Sequence, residues 1–330
     1  MTGFTPRRLL VLAGALVSLA LAGCARDIPY ATLKAKYATP ASRFLTLQDG
    51  VTVHYRDQGR PDGPPIVMVH GFAANLDAWE PWIARLGHDN RIITLDLPAH
   101  GLTLVPPGYR VSTDGQVEVV DQLTRALRVD RFALAGNSMG GGVAWSYALA
   151  HPDRVEALVL VDSVGPPSGV KRKGGPPAIF VLLGNPVGRA MLRQINPRPL
   201  AERGLRQAYI DPALVTPKLV DRYVDLALAP GHRALLLAGQ DRPRTPVTAQ
   251  TLQAIHAPTL VMHGAADTVI PLSGGQALAA AIPGARLIVY PGVGHVPMEQ
   301  IPERSAADLR GFLNQVRAEA AVPRPAASGR

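Results

Sequence analysis

Short apolar runs rich in branched residues alternate along this chain with stretches of helical period. Ile66 to Val69, Arg91 to Asp96, Phe132 to Ala135, the run inside residues 151–163, Thr259 to His263 and Arg286 to Tyr290 read as strands, most of them buried on both faces. Asp77 to Leu86, Val117 to Leu127, Val143 to Ala150, Pro271 to Ile282 and Asp308 to Val316 read as helices. The first of these takes Asp77 as its N-cap and turns Trp79, Trp82, Ile83 and Leu86 to a buried face. Strand followed by helix at this spacing predicts right-handed βαβ units and a mostly parallel sheet. Ahead of them, Phe44 to Leu47 and Val51 to Tyr55 flank Asp49-Gly50, the pattern of an antiparallel hairpin. From Val164 to about Thr251 the rhythm fails, and prolines and glycines leave only short helical pieces such as residues 219–228. That segment, 164–251, predicts a cap inserted into a core made of 44–163 and 252–317, with 318–330 as a disordered tail.

The first residues follow a different pattern. Arg7 and Arg8 precede an apolar run of 14 residues, Leu9 to Ala22, shorter than the roughly 20 that a membrane-spanning helix needs. The run ends in Leu21-Ala22-Gly23-Cys24, which resembles the lipobox of bacterial lipoproteins. The resemblance implies a signal peptide over 1–23 and a lipid on Cys24, with residues 24–43, polar and broken by proline, as a tether. Ala25 in place of Asp implies the periplasmic side of a bacterial outer membrane. Cys24 is the one cysteine, so no internal disulfide can form.

Chemistry is concentrated where strands end. After Phe132 to Ala135 comes Gly136-Asn137-Ser138-Met139-Gly140, and a helix follows at once. Two glycines let the chain turn sharply enough for the Ser138 hydroxyl to stand clear at the C-terminal edge of the sheet, the geometry of a nucleophile elbow. His70-Gly71-Phe72 follows another strand; the amides of Phe72 and Met139 are the expected oxyanion donors. Asp267 follows the strand at 259–263, and His295 follows the one at 286–290. Parallel strands gather these ends on one edge, so nucleophile, acid and base can meet there. His70 before its tight loop is read as structural rather than as a second base.

Together HGF, DLPAHG, GNSMGG, GAAD and GVGH resemble the α/β-hydrolase fold superfamily over residues 44 to 316. The resemblance implies an α/β fold with a mostly parallel sheet flanked by helices, Ser138 as nucleophile, His295 as base and Asp267 as orienting acid, with Asp162, at the end of the strand after the elbow, at a position that serves as the acid in some relatives. It implies cleavage of a small-molecule carboxylic ester with no cofactor. The elbow is also similar to that of hydrolases cleaving carbon-carbon bonds in ring-fission diketones, and a non-catalytic lipoprotein on the same scaffold is a third reading.

The sequence offers neither a Cys/His cluster for zinc nor a dinucleotide-binding glycine pattern after a strand. The net charge of +9 suggests nucleic acid at first. Yet residues 165–250 hold 13 Lys or Arg against 5 Asp or Glu, so the excess lies almost wholly in the cap, without interleaved aromatics or a phosphate-binding loop. With no nucleic-acid partner, Lys171, Arg172 and Lys173 beside the apolar residues 178–183 read either as a solvated lid surface or as a lid facing anionic lipid.

Overall fold

A computed structural model describes residues 25–166, 182, 184–238 and 247–321. The strands are β1 (Ser42–Thr46), β2 (Thr52–Gly59), β3 (Pro65–Val69), β4 (Arg91–Leu95), β5 (Phe132–Asn137), β6 (Val155–Val161), β7 (Thr259–Gly264) and β8 (Arg286–Tyr290). They pair in the order β1-β2-β4-β3-β5-β6-β7-β8, antiparallel at β1/β2 and β2/β4 and parallel throughout the rest. The expected α/β class and mostly parallel sheet are thus present.

Side-chain alternation explains how the sheet holds helices on both faces. Ile66 and Met68 of β3 join Ala133 and Ala135 of β5 in a core with Trp79, Trp82, Leu309 and Phe312, whereas Val67, Val69 and Leu134 face Val120, Val143 and Tyr147. The first layer lies under α2 (Glu80–Leu86) and the long C-terminal helix, the second under α3 (Thr113–Ala126) and α4 (Met139–Ala150). Between β6 and β7 come α5 (Pro186–Gln194), α6 (Arg198–Tyr209), α7 (Pro217–Ala227) and α8 (His232–Ala238), followed after β7 by α9 (Leu272–Ala281) and finally α10 (Pro302–Ala321). Among the described residues no helix is long and apolar enough to cross a membrane. The leader 1–23, Cys24 and the basic run Lys171 to Lys173 lie outside the described residues.

Three expectations need correction. Residues 25–43 do not hang free as a tether: α1 (Tyr30–Tyr37) seats Leu33, 1% exposed, among Leu102, Leu226 and Ala229. The Ile28 amide donates to the Leu228 carbonyl (2.8 Å), the Tyr30 hydroxyl to the Leu102 carbonyl (2.7 Å), and Lys36 and Tyr37 to Asp225 (both 2.7 Å). Tyr30, Leu33 and Tyr37 share one helical face, an apolar stripe too narrow to stand out against the polar residues between them. Asp77 is not an N-cap; it lies within the turn Leu76–Trp79, and its carboxylate is drawn to the buried Arg56, 2.7 Å away. The C-terminal helix runs on to Ala321, so residues 318–321 are helix rather than tail.

Candidate active site

The register of the parallel strands sets where the loops emerge. Val69 pairs with Gly136, Asn137 with Val161, and Gly264 with Tyr290, so the loops starting at His70, Ser138, Asp162, Ala265 and Pro291 leave from one edge. Ser138 has φ 54° and ψ −118°, a conformation that costs about 1–3 kcal/mol and persists because its surroundings fix it. Its amide donates to the Val161 carbonyl at 3.0 Å, and its own carbonyl accepts from Gly141 (3.1 Å) and Val164 (3.1 Å). Both elbow glycines are sterically required. A Cβ at Gly136 would sit 2.2 Å from the Gly140 carbonyl oxygen, and one at Gly140 2.2 Å from that of Val69.

Asp267 and His295 meet as expected. His295 Nδ1 lies 2.7 Å from Asp267 Oδ2, while Asp267 Oδ1 accepts from the amides of Val269 (2.7 Å) and Ile270 (2.9 Å). Burial pushes the Asp267 carboxyl up, but the His295 charge and these hydrogen bonds outweigh it and hold the group below the usual carboxylate range. Ser138, Asp267 and His295 are 9%, 6% and 7% exposed. Among the described residues no hydrogen bond joins the Ser138 hydroxyl to His295; in unliganded enzymes this bond is often long and tightens with substrate. A residue that sequence reasoning passed over links the two instead: Asn137 donates to the carbonyls of Val161 and His295, both at 3.1 Å. Its place next to the nucleophile was the available signal.

Asp162 is also at the site, in another role. Its Oδ1 accepts from the Gly264 amide at 2.9 Å, and its Oδ2 has no donor. Burial and the adjacent Asp267 charge push its pKa well up. One ligand atom each from Asp162, Asp267 and His295 lie within 4.8 Å of one another. Asp267 accepts on both oxygens, from His295 and from two backbone amides, so this cluster is arranged around the acid-base pair.

The expected oxyanion donors are available. The Met139 amide opens α4, where no intrahelical carbonyl can reach it, and the Phe72 amide donates to no backbone group among the described residues. The loop carrying Phe72 runs against the elbow, since a Cβ on Gly71 would come within 3.1 Å of Ser138 Cβ. His70 proves structural: its Nδ1 donates to the Gly71 carbonyl (2.7 Å), its Nε2 accepts from the Leu97 amide (3.0 Å), and burial lowers its pKa. Asp96 of the DLPAHG motif is likewise structural. It accepts from the amides of Leu76 and Leu102, both at 2.8 Å, and pairs with His54 at 2.7 Å.

The cap touches this machinery directly. Leu192 and Leu237 of the cap form an apolar cluster against which Phe72, Leu182 and Leu200 pack, so the cap sets an apolar wall beside Phe72. The Ala208 carbonyl at the end of α6 accepts from the His295 amide at 2.7 Å, and that of Gln207 from the Thr268 hydroxyl at 3.2 Å. Behind His295, Glu299 lies 3.9 Å from Arg222 of α7, near Tyr209, Tyr223 and Asp77. Burial pushes the Glu299 carboxyl up to about 7, and Arg222 offsets this only in part. An acid raised in this way keeps its proton in the folded state while the unfolded chain releases it near 4.5. The stability it contributes is therefore complete below that pH and lost as pH rises through about 7. Glu299→Gln should flatten the fall in unfolding free energy between about pH 4 and pH 8 by up to about 3 kcal/mol. Urea unfolding at several pH values reads this, and parallel slopes for the two proteins would show that Glu299 titrates normally.

Sheet order, elbow and acid-base pair place the chain in the α/β-hydrolase superfamily, and it is an enzyme of that class, so the non-catalytic reading falls. A family model described as alpha/beta hydrolase fold matches residues 64–177, and one described as TAP-like protein matches 232–320. The chain is similar to the 2-hydroxymuconate semialdehyde hydrolase of Pseudomonas sp. (strain CF600), at 28% identity over 82% of this chain and 93% of that one. It is also similar to monoacylglycerol lipase ABHD6 of Bos taurus, at 28% identity over 79% of each. Among solved structures, a membrane phospholipase A described as a bacterial virulence factor superposes with a TM-score of 0.73. It is 28% identical and covers 94% of this chain and 97% of its own.

Proposed function

We propose that the chain hydrolyses carboxylic esters through an acyl-enzyme on Ser138 and does so at a membrane, anchored by a lipid on Cys24. The observation that carries the reaction is the 2.7 Å bond between His295 Nδ1 and Asp267, at the sheet edge where Ser138 is held in its strained turn. That bond leaves His295 Nε2 to take the Ser138 proton as the hydroxyl oxygen attacks the ester carbonyl, and Asp267 stabilises the imidazolium. The Phe72 and Met139 amides meet the charge on the tetrahedral oxygen. His295 returns the proton to the departing alcohol, and water repeats the attack on the acyl group with the same base. The apolar wall of Phe72, Leu192 and Leu237 suits an acyl chain, and the lipase and phospholipase among the similar proteins support an ester of that kind.

Similarity to a semialdehyde hydrolase keeps carbon-carbon cleavage of ring-fission diketones as the second reading, because the same nucleophile and base serve both. A panel of chromogenic esters from acetyl to palmitoyl, with one ring-fission diketone beside them, separates the two. Ester turnover well above diketone turnover is expected; turnover of the diketone alone would reverse the assignment.

A further inference from the structure

Helix α5 has two apolar faces. Its inner face puts Leu192 into the cluster with Phe72 and Leu237, and its outer face leaves Val187 69% and Met191 58% exposed one turn apart, with Ile195, 37% exposed, a turn further at the helix end. A folded domain has no use for such a stripe in water unless something covers it.

Two observations say what the cover is. The first is where the chain enters. The Ala25 amide donates to the Gln194 carbonyl on this same helix at 3.1 Å, so the residue that directly follows Cys24 in the sequence is bonded to the end of the helix that carries the stripe. The second is charge. Residues 165–201 contain six Lys or Arg and no Asp or Glu, and among the described residues Arg26, next to Ala25, and Arg193, on α5 itself, are exposed. Apolar side chains on a segment of net positive charge, close in the chain to the residue proposed to carry a lipid, match a bilayer carrying anionic headgroups. A second copy of this chain would bring the same cations together and be repelled.

We infer that Val187, Met191 and Ile195, with Arg26 and Arg193, form the surface by which the enzyme lies on an anionic lipid bilayer. In placing the anchor this rests on the lipoprotein reading above; the stripe itself does not. The arrangement turns the helix whose inner face carries Leu192 beside Phe72 toward the membrane, so that an ester lying in the bilayer approaches Phe72 and Ser138 past α5. The substrate class that fits is an acyl ester of a membrane lipid.

The test first takes the mass of the mature N-terminus. It then places an environment-sensitive fluorophore at Met191→Cys or at Asp62→Cys, an exposed turn at the opposite edge of the sheet, with the full chain on vesicles of phosphatidylcholine and phosphatidylglycerol. Expected is blue-shifted emission at 191, quenched by doxyl-labelled lipid and weakened by Arg26→Gln with Arg193→Gln, and water-like emission at 62. Val187→Ser with Met191→Ser should lower hydrolysis of a vesicle-embedded ester roughly tenfold, the effect of two side chains withdrawn from the interface, and leave a short soluble ester within about twofold. Equal water exposure at 191 and 62 would overturn the inference. So would a blue shift at 191 that lipid quenchers do not reach, because it would put a second copy there. If mass spectrometry finds Cys24 unmodified, the lipoprotein reading fails on its own. The labels then go into the Cys24→Ser chain, where the same contrast still decides the surface.

Discussion

Ser138→Ala should abolish labelling by a fluorophosphonate probe and lower ester turnover at least about a thousandfold, with the folded state intact. The size follows from what is removed. The reaction loses its nucleophile, while the oxyanion amides of Phe72 and Met139, the cap and the Asp267–His295 pair all remain, and these alone leave a residual rate above that in water. Stability should not fall with activity. The hydroxyl at Ser138 donates no hydrogen bond among the described residues, and the backbone bonds that hold its φ of 54° do not depend on it. Near wild-type hydrolysis by this variant, with a normal melting curve, would mean that the nucleophile lies elsewhere.

Asp267→Asn should be nearly as damaging, at roughly a thousandfold to ten-thousandfold in kcat, and Asp162→Asn should cost less than about tenfold. Two carboxyls stand at this end of the sheet, and their surroundings divide the work. Asp267 accepts from His295 and from two backbone amides, which hold its pKa down, whereas Asp162, fully buried beside it, accepts from the Gly264 amide and has its pKa pushed up. An amide at 267 can donate to Nδ1 and drive the imidazole proton to Nε2, where it blocks removal of the Ser138 proton. An amide at 162 still accepts from the Gly264 amide through its oxygen and leaves the bond between Asp267 and His295 in place. Steady-state turnover of a chromogenic ester near neutral pH, with thermal melts of both variants, reads the contrast. The reverse order of losses would make Asp162 the orienting acid.

The sequence pattern carried the sheet because parallel strands buried on both faces must be written in apolar residues, as β5 and β7 are. The elbow was legible for a related reason: Gly136 and Gly140 are sterically obligatory, and such positions leave a mark in the sequence. What escaped depends on partners distant in the chain. Asp77 sits where a cap residue would, and only the fold brings Arg56 to it. Asn137 looks like the variable position of its motif until the loop at His295 is placed against it. Whether an acid beside Asp267 is charged cannot be read from spacing, because burial and a neighbouring anion decide it.

The ordered segment from Ala25 to Tyr37 ties the cap to the core. Between Ala25 and Tyr37 the chain is bonded to Gln194 at the end of α5, to Leu228 and Asp225 at the end of α7, and through Tyr30 to Leu102 in the core loop beyond β4. It acts as a splint laid across the seam between cap and core. A pull at Ala25 would therefore reach the cap, through Gln194, before it reaches the sheet. Were Cys24 to carry the proposed lipid, the surface holding it would pull first on the cap.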